Sequence, residues 1–91
     1  MTNTEQQQNQ QPDPKEHKHE EVVNRFTYHP PFGDQAVRYE ILREEFRQLA
    51  HVIVKLTPIS REQSLALTDL QRACMMANAA IACNEKPEEG G

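Results

Sequence analysis

The stretch RACMMANAAIAC at positions 72–83 constrains this chain more than any other part of its sequence. After Arg72 only Asn78 is polar. A helix that is apolar around most of its circumference is normally buried around most of it. One partner helix cannot supply that burial. Ala66, Ala73 and Ala80 recur at seven-residue intervals, flanked by Met76 and Cys83. This second stripe of small side chains lets another backbone approach closely. The spacing predicts self-association through this helix.

The rest of the pattern supplies the unit that would associate. Tyr39, Leu42, Phe46, Leu49, Ile53 and Leu56 are separated by three and four residues in turn, and so are Leu67, Leu70, Cys74, Ala77 and Ile81. Both are helical seams. Asp34 stands where an N-cap is expected, and Thr57-Pro58 breaks the first seam. Ser60, with Gln63 three residues on, forms a capping-box pattern that opens the second helix. The expected helices run from about residue 35 to 56 and from about 61 to 84. Two seams joined by so short a link predict an antiparallel αα-hairpin. The fold class is therefore all-α: a helical hairpin preceded by an extended aromatic arm, assembling into a homo-oligomer.

Residues 1–20 contain no Val, Ile, Leu, Phe, Tyr or Trp. A segment so poor in apolar side chains cannot offset its ordering entropy by burial, which predicts a disordered polar tail. Residues 21–33 carry Phe26, Tyr28 and Phe32, and Pro30-Pro31 enforces extended backbone there. This segment reads as an aromatic and proline-rich arm. The hairpin domain then occupies 34–85, and 86–91 form a second disordered tail. About seventy ordered residues make a marginal core, a size at which chains usually rely on disulfides, metals or partners.

Composition removes several function classes. A net charge of −4 argues against a DNA or RNA polymer as ligand, since such proteins show a basic excess or stripe. It leaves room for a small phosphate ligand, and six of the seven basic residues of the ordered part are Arg, which suits bidentate phosphate contacts. Cys74 and Cys83, nine residues apart on one helix and so about 13 Å apart, cannot bridge each other. With no CxxC, no leader pattern and no membrane-length apolar run, the sequence predicts a reducing, cytoplasmic location. His17 and His19 lack the further ligands that a metal site needs. No nucleophile elbow, phosphate-binding glycine loop or HExxH motif is present, so neither an enzyme nor a cofactor is expected.

Three groups of residues could carry binding. Tyr28 and His29, on the stiffened arm beside Arg25 and Phe26, could stack a base and contact a phosphate; aromatic packing against the hairpin is the plainer account of the same residues. Arg43 and Arg47 lie four apart on one helical face, where Glu40 and Glu44 can pair with them. They are either a solvated charged face or phosphate ligands completed by a neighbour's arm. Asn78 either fixes register at an interface or faces a ligand cavity, because a buried Asn must find partners.

The strings NRFTYHPP at 24–31, RYEILREEFRQLA at 38–50 and SREQSLALTDLQRACMMANAAIACNE at 60–85 resemble the phage anti-CBASS cyclic-nucleotide sponge family, whose hairpin domain is shared with the Thoeris anti-defence sponge proteins. The resemblance covers about residues 24–85. It implies a small helical protein that forms compact hexamers in the cytoplasm of an infected bacterium. Such a protein holds cyclic oligonucleotide messengers without cleaving them, so that the defence effector is never activated. It implies cyclic dinucleotide pockets between protomers, with Tyr28 as the base-stacking residue and Arg43, with Arg47 close behind, as the basic position. His29, Arg25 and Phe26 would flank that pocket. Cyclic trinucleotides would occupy a second site on the three-fold axes, for which Arg72, Asn78 and Cys83 are the candidates. Cys83 stands where many relatives have Arg, which puts this second site in doubt. The competing reading is an oligomeric adaptor whose partner is another protein.

Overall fold

The structure is a computed structural model, and it describes residues 13–87. Three helices make up the fold: α1, Pro14–Phe26; α2, Gln35–Leu56; and α3, Arg61–Asn84. The hairpin helices α2 and α3 have the bounds that the two seams predict, and they pack against each other. Tyr39, Leu42, Phe46 and Ile53 of the first seam and Leu67, Leu70, Cys74, Ala77 and Ile81 of the second are partly buried along this contact. The outer first-seam positions Leu49 and Leu56 remain exposed.

The short link is closed by the elements that the sequence supplies. Thr57 leaves α2 in an extended conformation, and its hydroxyl donates to the Ile53 carbonyl at 2.6 Å. Ser60 Oγ accepts from the Gln63 backbone N–H at 3.1 Å, as an N-cap should. The Gln63 side chain turns back to donate to both the carbonyl and the hydroxyl of Thr57, each at 3.0 Å. Gln63 thereby seals the link as well as the helix start.

At the head of α2 the expectation needs correction. Asp34 occupies the N-cap position but makes no side-chain cap bond. Its carboxylate accepts from Arg38 Nε at 3.1 Å instead. The turn is held by Gln35, whose Oε1 accepts from the Phe32 N–H at 3.1 Å while its own N–H donates to the Phe32 carbonyl at 3.0 Å. Gly33 makes this turn possible: its φ of 58° lies in the left-handed region that side chains disfavour.

A larger correction concerns the segment before the hairpin. Residues 14–20, expected to be disordered, and 21–26, expected to be extended arm, together form α1. Asp13 caps it, accepting from the Lys15 N–H at 3.0 Å, and Pro14 sits in the first turn, where its missing donor costs nothing. Glu21 then pairs with Lys18 at 3.0 Å and with Arg25, which lies in the last turn where the helix dipole favours a cation. This helix buries no residue; capping and charge pairing sustain it rather than a core. The extended arm is correspondingly shorter, 27–32. Residues 1–12 and 88–91, assigned to the two tails, lie outside the described residues.

Among the described residues no apolar side chain is buried, and the two buried residues are Gln35 and Gln63. Met75 and Met76 are 62% and 63% exposed on α3, with Ala73 and Ala80 also exposed. Val22, Val23 and Phe26 are likewise open on α1. Apolar side chains of α1, α2 and α3 are thus left open to water among the described residues, as at an interaction surface.

Candidate functional site

An open groove of about 510 Å³ runs along one side of the hairpin. Its walls are Glu40, Arg43, Glu44 and Arg47 from α2, with Gln71 from α3; Phe46, Ala50, Leu67, Leu70 and Cys74 supply apolar surface. That size suits a small ligand. The i to i+4 spacing puts Arg43 and Arg47 on one face, and the packing of α2 on α3 places apolar side chains beside them. Arg43 donates to Glu40 at 3.1 Å, and Arg47 pairs with Glu44. Gln48 also donates to Glu44 at 3.0 Å. The Gln48 and Arg47 hydrogen bonds hold the Glu44 carboxyl below its ordinary range. Exposed pairs of this kind are weak, about 0–1 kcal/mol, so either guanidinium can exchange its carboxylate for a phosphate at small cost.

The arm residues lie elsewhere. Tyr28, 80% exposed, does not line the groove that carries Arg43 and Arg47. Phe26 ends α1 in the open, and Arg25 pairs with Glu21. His29 is engaged: its Nε2 donates to the Asn24 carbonyl at 2.8 Å, leaving Nδ1 as the remaining ring nitrogen. One chain therefore presents the stacking candidate and the cationic candidates on separate surfaces.

The residues considered for a second site are also dispersed. Arg72 is exposed and pairs with Asp69 at 3.8 Å. It stands eleven residues before Cys83, which places the two about 16 Å apart along α3. Cys83 lines a smaller cleft of about 230 Å³ with Asn24, His29, Pro30, Phe32 and Glu85. Asn78 Oδ1 is buried and has no hydrogen-bond partner among the described residues. Leaving such an acceptor unpaired costs about 1–3 kcal/mol, so Asn78 fits a position completed from outside the chain. Both cysteines are free and half-buried.

Sequence reasoning missed one constellation entirely. Glu85, the residue that ends α3, receives Arg38 Nη1 at 2.8 Å and Nη2 at 2.5 Å, and Gln35 Nε2 at 3.2 Å. The Arg38 hydrogen bonds, then that of Gln35, hold the Glu85 carboxyl down at about 2 against an ordinary 4.5. A carboxyl depressed in the folded state stabilises the fold above its unfolded value, and that contribution fades as pH falls toward the folded value. The thermal midpoint of the parent should therefore exceed that of Glu85→Gln at pH 5 and above, with the gap closing between pH 4.5 and 2. A gap that stays constant in acid would show that the ion pair contributes nothing.

The hairpin, its groove and its exposed apolar face define a helical protein built to bind. A family model described as the Acb2/Tad1 hairpin domain matches residues 18–82. The chain belongs to this family, the anti-CBASS and anti-Thoeris sponges, phage anti-defence proteins that sequester cyclic nucleotides and are binding sponges rather than enzymes. The matched span begins inside α1 and takes in residues 18–26 of it. No curated protein and no solved structure matches the chain. No helix among the described residues is long and apolar enough to cross a membrane.

Proposed function

We propose that this protein sequesters cyclic oligonucleotide second messengers in the cytoplasm of an infected bacterium, holding them uncleaved so that the CBASS effector is not activated. The family match over residues 18–82 carries this reading. The groove supports it, because two arginines beside apolar surface suit a ligand that combines flat bases with phosphates. Cyclic dinucleotides of the cyclic GMP–AMP type are the proposed ligands, with Tyr28 stacking a base and Arg43, seconded by Arg47, meeting a phosphate. His29, Arg25 and Phe26 border the arm side of the pocket.

The pocket is proposed to form only in a homo-oligomer, a hexamer on the family pattern. The absence of any buried apolar side chain in the described part of the chain supports assembly, and the separation of Tyr28 from the arginine groove supports a pocket shared between protomers. Titration calorimetry with 3′,3′-cyclic GMP–AMP tests the reading. Saturable binding is expected; no uptake would favour the adaptor reading, for which the exposed apolar face of α3 would be the partner surface.

For cyclic trinucleotides the proposal is a weakened second site. An Arg donates a charge-assisted hydrogen bond that the Cys83 thiol cannot match. Cys83→Arg should raise trinucleotide affinity by roughly 10- to 150-fold, the equivalent of about 1.5–3 kcal/mol. Tight trinucleotide uptake by the unmodified protein would assign that site to Arg72 and Asn78 instead.

A further inference from the structure

Among the described residues, every side-chain hydrogen bond joining positions more than six apart in sequence ends on the last turn of α3 or the residue that caps it. Asn24 Nδ2 donates to the Cys83 carbonyl at 2.8 Å, taking up an acceptor that the helix end leaves free. The Asn24 carbonyl accepts from His29 Nε2 at 2.8 Å. That bond closes a loop with Tyr28 inside it. Four residues beyond Tyr28, the Phe32 N–H is held by Gln35, which is 2% exposed and whose amide group also reaches Glu85. Arg38 grips both oxygens of the same carboxylate. The extended segment 27–32, which pairs with no strand among the described residues, is thus fastened at each end to the C-terminal end of α3.

We infer that Asn24, His29, Gln35, Arg38 and Glu85 act together as a clamp that positions Tyr28, presenting its exposed ring before a ligand arrives. This rests on the reading of Tyr28 as the stacking residue. The physical reason is entropy. A free segment would have to be ordered at the moment of binding, at a cost for each side chain and loop element immobilised, whereas a segment fastened beforehand does not bear it. A buried Gln with both ends of its amide satisfied, where the described residues include no buried apolar side chain, fits a holding role better than core filling.

The protein has two tyrosines and no tryptophan, so in a Tyr39→Phe background Tyr28 is the only strong intrinsic fluorophore. In that background Asn24→Ala and Glu85→Ala should each weaken 3′,3′-cyclic GMP–AMP binding about 2- to 12-fold, matching the loss of one pre-ordered element. The fluorescence anisotropy of Tyr28 should fall in both, with helicity and light-scattering mass unchanged. The exchanged pair Arg38→Glu with Glu85→Arg should recover part of the anisotropy lost in Glu85→Ala. If Glu85→Ala lowers the mass, Asn24→Ala alone carries the test, since it removes the amide donor to Cys83 without adding a charge. Unchanged affinity and anisotropy in the clamp variants, where Tyr28→Ala has lost binding, would overturn the clamp and leave the sponge reading standing. Full binding by Tyr28→Ala would overturn the clamp together with the stacking role of Tyr28, while the uptake itself would still speak for the sponge reading.

Discussion

Tyr28→Ala should lose about 1–3 kcal/mol of cyclic dinucleotide binding, roughly 5- to 150-fold in affinity, without changing the size of the assembly. A cyclic dinucleotide offers two flat bases and two singly charged phosphates. A protein that only holds it needs a stacking face and a cation. In the proposed pocket Tyr28 supplies the face, on a segment stiffened by Pro30 and Pro31 and with the residue open to solvent. The same proposal has Arg43 supply the cation from a rigid helix, and its present partner Glu40 is an exposed carboxylate that gives it up readily. Arg43→Ala should therefore cost a similar amount, about 1.5–3 kcal/mol, from the lost charged hydrogen bond. Neither residue belongs to the Ala66, Ala73 and Ala80 stripe, so light scattering should report the parent mass for both variants. Calorimetry on the pair decides the matter. Unchanged affinity in Tyr28→Ala would make the arm a packing element and give the stacking role to another residue. Loss in Arg47→Ala with a silent Arg43→Ala would keep the pocket and move its cation one turn along α2.

Ala80→Glu should break the assembly. Ala80 lies on the exposed, small-residue face of α3 beside Met76. A carboxylate placed there would be buried against a neighbour with no partner, a situation that costs about 3–5 kcal/mol. The described part of the chain buries no apolar side chain of its own, so the separated protomer should also lose thermal stability. The expected result is a drop in light-scattering mass at micromolar concentration together with a lower melting temperature. Parent mass in Ala80→Glu, or a stable monomer of the unmodified protein, would place the association surface elsewhere or remove it.

The hairpin was readable because its information is local. Three-and-four spacing, a Thr-Pro stop and a Ser60–Gln63 start lie within a few residues of the structure they specify. Helix α1 was readable in principle and was missed for a definite reason. Counting apolar residues tests whether a segment can join a core, whereas α1 stands on Asp13, Pro14 and the Glu21 pairs with Lys18 and Arg25. The Asp13-Pro14 start with Glu16 three residues after Asp13 is the signal that would have found it. The candidate site divides in the same way. Arg43 and Arg47 share a face by spacing alone. That Leu67, Leu70 and Cys74 would meet Phe46 beside those arginines depends on how α2 and α3 align. The Asn24–Cys83 and Arg38–Glu85 contacts join residues 59 and 47 positions apart, and no periodicity announces such a pair. His29 illustrates the limit: its place next to Tyr28 suggests a ligand contact, while its ring nitrogen holds the backbone of α1.

As a proposed sponge, this protein should hold a cyclic dinucleotide without altering it. The direct measurement is to incubate the purified protein with 3′,3′-cyclic GMP–AMP, remove free nucleotide by filtration, denature the protein by heat and identify what is released. Depletion of the nucleotide from the filtrate and its return, chemically intact, on denaturation are expected. Release of a linear or hydrolysed product, or a filtrate from which nothing was removed, would contradict the sponge reading.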